Sequence, residues 1–102
     1  LLKDKSDIIE MELANEYAKN GNLQGAKETF LEVYEDTGLY EAGYNAAILM
    51  QALEEYYDAE QLMQQIVDKT YEKQAVKALS EIKREMKAQE RVSEQLDSDF
   101  IN

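Results

Sequence analysis

Residues 13–37 fall on residues 46–70 when the sequence is displaced by 33 positions. Leu13 then lies on Ala46, Ala14 on Ala47, Tyr17 on Met50, Leu23 on Tyr56 and Ala26 on Ala59. Phe30 lies on Met63, Val33 on Ile66, Tyr34 on Val67 and Thr37 on Thr70. A unit of this length is one pair of helices, too small to bury its own apolar face, so copies must stack. The alanines say how. Two helices joined by a short turn cross closely only where the side chains are small. Ala14 and Ala26 are placed to do this in the first copy, and Ala47 and Ala59 in the second.

Apolar residues recur three to four apart, as in Ile9, Leu13, Tyr17 and Ala18, and no alternating strand-like run exists. Turn signals divide the chain. Asn20-Gly21-Asn22 and Thr37-Gly38 each place Gly where a helix can close in a left-handed conformation. Leu53-Glu54-Glu55 and Asp68-Lys69-Thr70 are weaker boundaries. The expected helices span 5–20, 23–37, 40–53, 56–69 and 72–96, with antiparallel neighbours. A third copy begins in the last helix and fails. Val76, Leu79, Ile82 and Met86 form one apolar stripe, but Lys83 and Lys87 do not fit the repeat. That pattern is expected of a long capping helix, followed by a tail over 97–102.

The 102 residues contain no Cys, His, Trp or Pro. Zinc sites built on Cys or His are thereby excluded, as are Cys–His and Ser–His catalytic pairs. The longest apolar run, Ala46 to Met50, is too short to insert into a bilayer. The first residues do not read as a signal peptide, and Leu rather than Met at position 1 is expected of a piece of a longer protein. Net charge is −11, and residues 1–68 carry all of it, with 4 Lys against 15 Asp and Glu. Residues 69–102 balance 7 cations with 7 anions. The acidic body opposes nucleic-acid binding. The cations Lys69, Lys73, Lys77, Lys83, Arg84, Lys87 and Arg91 alternate with Glu72, Glu81, Glu85 and Glu90, which reads as a solvated face laced with salt bridges.

With these residues in place, segments 7–40 and 40–72 resemble tetratricopeptide repeats. Leu13, Ala14, Tyr17, Gly21, Leu23, Ala26, Phe30 and Val33 carry the likeness in the first copy. Tyr44, Asn45, Ala46, Ala47, Met50, Tyr56, Ala59, Met63 and Ile66 carry it in the second. The chain departs from the family where Trp and the closing Pro are missing and where Glu54 stands for the turn Gly. The resemblance implies an all-α fold: a right-handed α-α superhelix of two helix pairs with a C-terminal cap, forming a single domain. It also implies a non-catalytic protein-binding scaffold whose first helices line a concave face. That face would carry Ile8, Met11, Asn15 and Ala18, then Glu41, Tyr44, Ile48 and Gln51, and Lys73, Gln74, Lys77 and Ala78 from helix five. Met11, Asn15, Tyr44, Ile48, Gln51, Lys73 and Lys77 are the binding candidates among them. Asn15 and Asn45 match the amides of the family's carboxylate clamp, but Met11, Gln74 and Ala78 stand at its basic positions. No clamp activity is expected. The chain also has a general likeness to repeat regions of exported bacterial proteins, which implies a cell-envelope setting if the parent carries an export signal.

Little else suggests chemistry. Glu54, Glu55 and Asp58 lie beside Tyr56 and Tyr57, where a solvated turn is the expected reading and a two-carboxylate site the other. Asp97-Ser98-Asp99 starts like a calcium loop but lacks its later Gly and Glu. No metal or cofactor is expected. The partner would be a protein or peptide. The alternative is a structural module, in which Ile8, Met11, Tyr44 and Ile48 pack on helix five, on a second copy as a homodimer, or on another part of a larger protein.

Overall fold

Four short turns cut the chain into five helices: α1 (Lys5–Lys19), α2 (Leu23–Thr37), α3 (Tyr40–Ala52), α4 (Tyr56–Thr70) and α5 (Lys73–Ile101). The computed structural model describes residues 5–101, with side chains to Leu96. The fold is all-α, as expected, with no strand among the described residues. Each helix packs on the next, and α3 also touches α5.

The turns explain the helix ends. Asn22 opens α2 by accepting the Gly25 N–H on its side-chain oxygen at 2.9 Å, which satisfies one of the orphan donors at the helix start. After α1, the Asn22 N–H reaches the Tyr17 carbonyl at 2.8 Å and the Gly21 N–H reaches Ala18 at 3.1 Å. This crossed pair closes a helix around a left-handed residue. Thirty-three residues on, the Glu55 N–H reaches Met50 at 2.8 Å and the Glu54 N–H reaches Gln51 at 3.0 Å. The second turn repeats as well. Gly38 donates to Tyr34 at 2.8 Å, and Tyr71 to Val67 at 2.9 Å. Thr37 donates its hydroxyl to Val33 at 2.7 Å and accepts the Leu39 N–H at 3.1 Å. Thr70 donates to Ile66 at 2.7 Å and accepts the Glu72 N–H at 3.2 Å. The displacement by 33 is therefore present in the backbone bonds as well as in the side chains.

The four crossing alanines, Ala14, Ala26, Ala47 and Ala59, are all fully buried. Around them lie Val33, Met63, Ile66 and Ile82, the largest side chains wholly removed from water. Each contributes about 1.5–3 kcal/mol relative to an exposed position. The α2–α3 contact is the tightest. A Cβ added at Gly43 would lie 2.7–2.9 Å from ring atoms of Tyr34 and 2.8 Å from Ile66. Ala42, Ala46 and Gly43 together form a small-residue strip against which the α2 side chains seat. Lys27 of α2 is tied to Glu55 of the α3–α4 turn by bonds of 2.9 and 3.3 Å.

Several sequence expectations are corrected. Ile9 and Leu13 are 61% and 43% exposed, because among the described residues α1 packs chiefly on α2 and turns this face away from it. On α5, Val76 is 48% exposed and the buried stripe is Ala75, Ala78, Leu79 and Ile82. Leu79 and Ile82 are shared with the expected face, and the small Ala75 and Ala78 take the buried places beside them in place of Val76. Met86 is half-buried. Helix α5 spans 29 residues, about 43 Å, and its backbone stays helical through Asp97-Ser98-Asp99, where a loop or tail was expected. Of the tail 97–102, residue 102 lies outside the described residues. The interleaved cations also lack the expected salt bridges: none of them reaches a neighbouring carboxylate within ion-pair distance among the described residues. Lys69 instead sits 5.4 Å over the Tyr34 ring and donates to its hydroxyl at 3.2 Å.

The packing sets two stability outcomes, read by denaturant unfolding. Ala26→Leu and Ala59→Leu lose about 1–3 kcal/mol or more through overpacking, and Gly43→Ala loses a similar amount despite the better helix propensity of Ala. Unchanged midpoints in all three variants would disprove close packing at these crossings. Glu54 and Tyr71 occupy left-handed backbone at φ 62 and 55, where a Cβ is strained. Glu54→Gly and Tyr71→Gly should each raise stability by about 1 kcal/mol or less, the relief of strain outweighing the entropy of Gly. A loss in both would show that the side chains do more at these positions than strain the turn.

Candidate functional site

Helices α1, α3 and α5 contribute to one face of the array, and two clefts open on it. One, of about 200 Å³, is lined by Asn15 and Ala18 of α1, Phe30 of α2, and Asn45, Ile48 and Leu49 of α3. The other, of about 300 Å³, is lined by Tyr44 and Ile48 of α3 and by Gln74, Lys77, Ala78 and Glu81 of α5. Ile48 belongs to both, so the clefts form one shallow groove across α3.

The local sequence accounts for the shape. Tyr44 and Ile48 are one turn apart on α3, and Asn45 is flanked by the buried Gly43, Ala46 and Ala47 that hold α3 down. Asn15 follows the buried Ala14 on α1, and Gln74 precedes the buried Ala75 on α5. The crossing residues thus set each amide beside a packed position. No hydrogen bond within the described chain engages the side-chain amides of Asn15, Asn45 or Gln74. Each offers both donors and an acceptor to a ligand. Lys77 and Glu81 supply one charge of each sign at the α5 end.

Of the seven candidate residues, the groove brings together Asn15, Tyr44, Ile48 and Lys77. Met11 is half-buried against the core and lines neither cleft. Gln51 donates to Glu85 of α5, so its amide is engaged within the fold. Lys73 is exposed and lines neither cleft. Phe30, Leu49 and Glu81 were not foreseen. Glu81 lies one turn after Lys77, and helical spacing alone would have found it. Phe30 and Leu49 are buried core residues with an edge in the cleft, which periodicity assigns only to the core.

The carboxylates form no comparable site. Glu55 is held by Lys27, and Tyr57 is exposed. The Tyr56 hydroxyl is raised above its ordinary pKa, first by desolvation and then by the carboxylates of Glu54 and Glu85. A cleft of about 270 Å³ between α4 and α5 is lined only by Glu60, Gln61, Gln64, Gln65, Asp68 and Lys83, without an apolar floor. No group of three or more acidic, His or Cys side chains among the described residues is placed to hold a metal. No described helix is long and apolar enough to cross a membrane. Compared with known proteins, the chain matches no family model, no curated protein and no solved structure.

Proposed function

We propose that this chain is a non-catalytic scaffold of tetratricopeptide-like helix pairs, wound as a right-handed superhelix, that binds a peptide or partner helix along the α1–α3–α5 groove. The observation that carries the reading is the sharing of Ile48 by two clefts whose amides have no partner within the described chain. An apolar floor rimmed by amides suits a segment that presents one apolar side chain to Ile48 and its polar groups to Asn15, Asn45 and Gln74. Tyr44 adds a half-buried aromatic wall, and Lys77 favours an acidic group at the α5 end of the segment. A substrate pocket is a poorer reading, since the groove is shallow and only Lys77 and Glu81 in it are charged.

The test is selection of short random peptides displayed on phage against the 102-residue chain. Peptides enriched on the wild type should lose about tenfold or more in affinity on Ile48→Glu, about 1.4 kcal/mol, with helicity unchanged. Lys77→Glu should shift the selected pool away from acidic residues. Failure to enrich any peptide, or binding indifferent to Ile48→Glu, would remove the groove from consideration.

A further inference from the structure

The turn between α1 and α2 holds the one Asn of the chain that Gly follows, Asn20-Gly21. Asn20, Gly21 and Asn22 are all exposed, so water reaches each of them. No hydrogen bond within the described chain engages the Asn20 side-chain amide. The space around Gly21 is open as well: a Cβ added there would meet nothing within 4 Å. The neighbouring Asn22 differs. Its side-chain oxygen accepts the Gly25 N–H at 2.9 Å as the cap of α2, and Leu23 follows it. Asn15 and Asn45 lie within helices and are followed by Glu16 and Ala46.

Asn is a labile side chain because the backbone nitrogen of the next residue attacks its amide carbon. The attack is fastest where that next residue has no Cβ to crowd it. At this turn the deprotonated Gly21 nitrogen bonds to Cγ of Asn20, the Cγ–Nδ2 bond breaks, and ammonia leaves. Water then opens the cyclic succinimide at one carbonyl or the other, giving aspartate or isoaspartate. Water is the one co-reactant, and nothing is oxidised or reduced. The closed turn restrains the first step. The Gly21 N–H donates to Ala18 at 3.1 Å and the Asn22 N–H to Tyr17 at 2.8 Å, so the nitrogen attacks only when these bonds open. Such an opening is local, since the turn is exposed and α1 packs chiefly on α2 among the described residues.

We infer that Asn20 is a site of spontaneous deamidation, reached by opening of the α1–α2 turn and ending in aspartate or isoaspartate. Either product bears on α1. The new carboxylate stands at the C-terminal end of that helix, where the helix dipole disfavours negative charge. Isoaspartate also lengthens the main chain by a carbon inside both crossed bonds, so the turn no longer closes in register. The turn 33 residues later is closed by the same pair of bonds with Leu53 and Glu54 in these places, and it lacks this chemistry. The fold therefore does not require Asn at position 20.

Peptide mapping by mass spectrometry tests this on the 102-residue chain after incubation at neutral and at mildly alkaline pH. Cleavage after Glu16 and Glu28 releases peptide 17–28, and fragmentation within it separates Asn20 from Asn22. Asn20 should gain the mass of an amide-to-acid exchange, and faster at the higher pH, because the attacking nitrogen must first lose its proton. Asn15, Asn22 and Asn45 should lag far behind. Asn20→Gln should keep wild-type helicity and lose nearly all of the acidic form that the wild-type chain accumulates. Denaturant should speed the conversion of Asn20 by freeing the turn. Three results overturn the inference: Asn20 converting no faster than Asn22, an Asn20→Gln chain that acidifies at the wild-type rate, or equal rates at Asn20 in the folded and the unfolded chain. Ile48→Glu should leave the rate unchanged, so this site and the peptide groove stand or fall separately.

Discussion

Two helix axes approach only as closely as the side chains between them allow, and in this chain that distance is set by methyl groups and one hydrogen. Ala14, Ala26, Ala47 and Ala59 are fully buried, and Gly43 faces the Tyr34 ring with no room for a Cβ. The large core residues matter in a different way. Phe30, Met63 and Ile66 supply the apolar area, but they interlock only because the small residues have brought the backbones within reach. The same contacts hold α1, α3 and α5 in position along one face. The groove is therefore a consequence of where the alanines lie, and its amides are carried by residues adjacent to them.

The turns impose a second constraint, and there geometry overrides residue preference. Gly21 and Gly38 take left-handed backbone at little cost. Glu54 and Tyr71 take the same conformation 33 residues later with side chains that disfavour it. The hydrogen bonds that close both turns match within about a tenth of an ångström. The second copy thus adopts the turn because its helices are already committed to their crossing. Strain at these two positions needs no functional explanation, since the same turn appears unstrained in the first copy.

These facts explain what could be read from the sequence and what could not. Helix number and most boundaries were legible because Gly21 and Gly38 announce turns and apolar spacing is regular. The crossing alanines were legible because they recur in register. The exposed faces were misjudged. Periodicity counts Ile9, Leu13 and Val76 as core because it registers apolar character and not the presence of a neighbour. Gly43 was overlooked because a glycine within a helix looks like weak propensity until the ring beside it is known. The length of α5 was underestimated for a related reason. A helix already nucleated by packing can extend through polar sequence that would not start one. At the groove, residues two helices away from each other had to be combined, so Asn15, Tyr44, Ile48 and Lys77 came together while Gln51 was drawn off to Glu85.

The acidic body and the neutral last helix then acquire a common physical meaning. A net charge of −11 concentrated before residue 69 keeps identical bodies apart and discourages nonspecific contact with other acidic surfaces. Helix α5 is the one element without that repulsion, and it is also the element that reaches both the groove, through Gln74, Lys77 and Ala78, and the solvent, beyond Met86. Its first half is held by Ala75, Ala78, Leu79 and Ile82. Among the described residues, the side chains from Lys87 to Leu96 are all exposed. One continuous helix therefore joins the buried cap to the exposed Val92 and Leu96. Packing at the cap fixes where Lys77 and Glu81 stand beside α3, because shifting α5 would expose Ile82 and open the fit around Ala75.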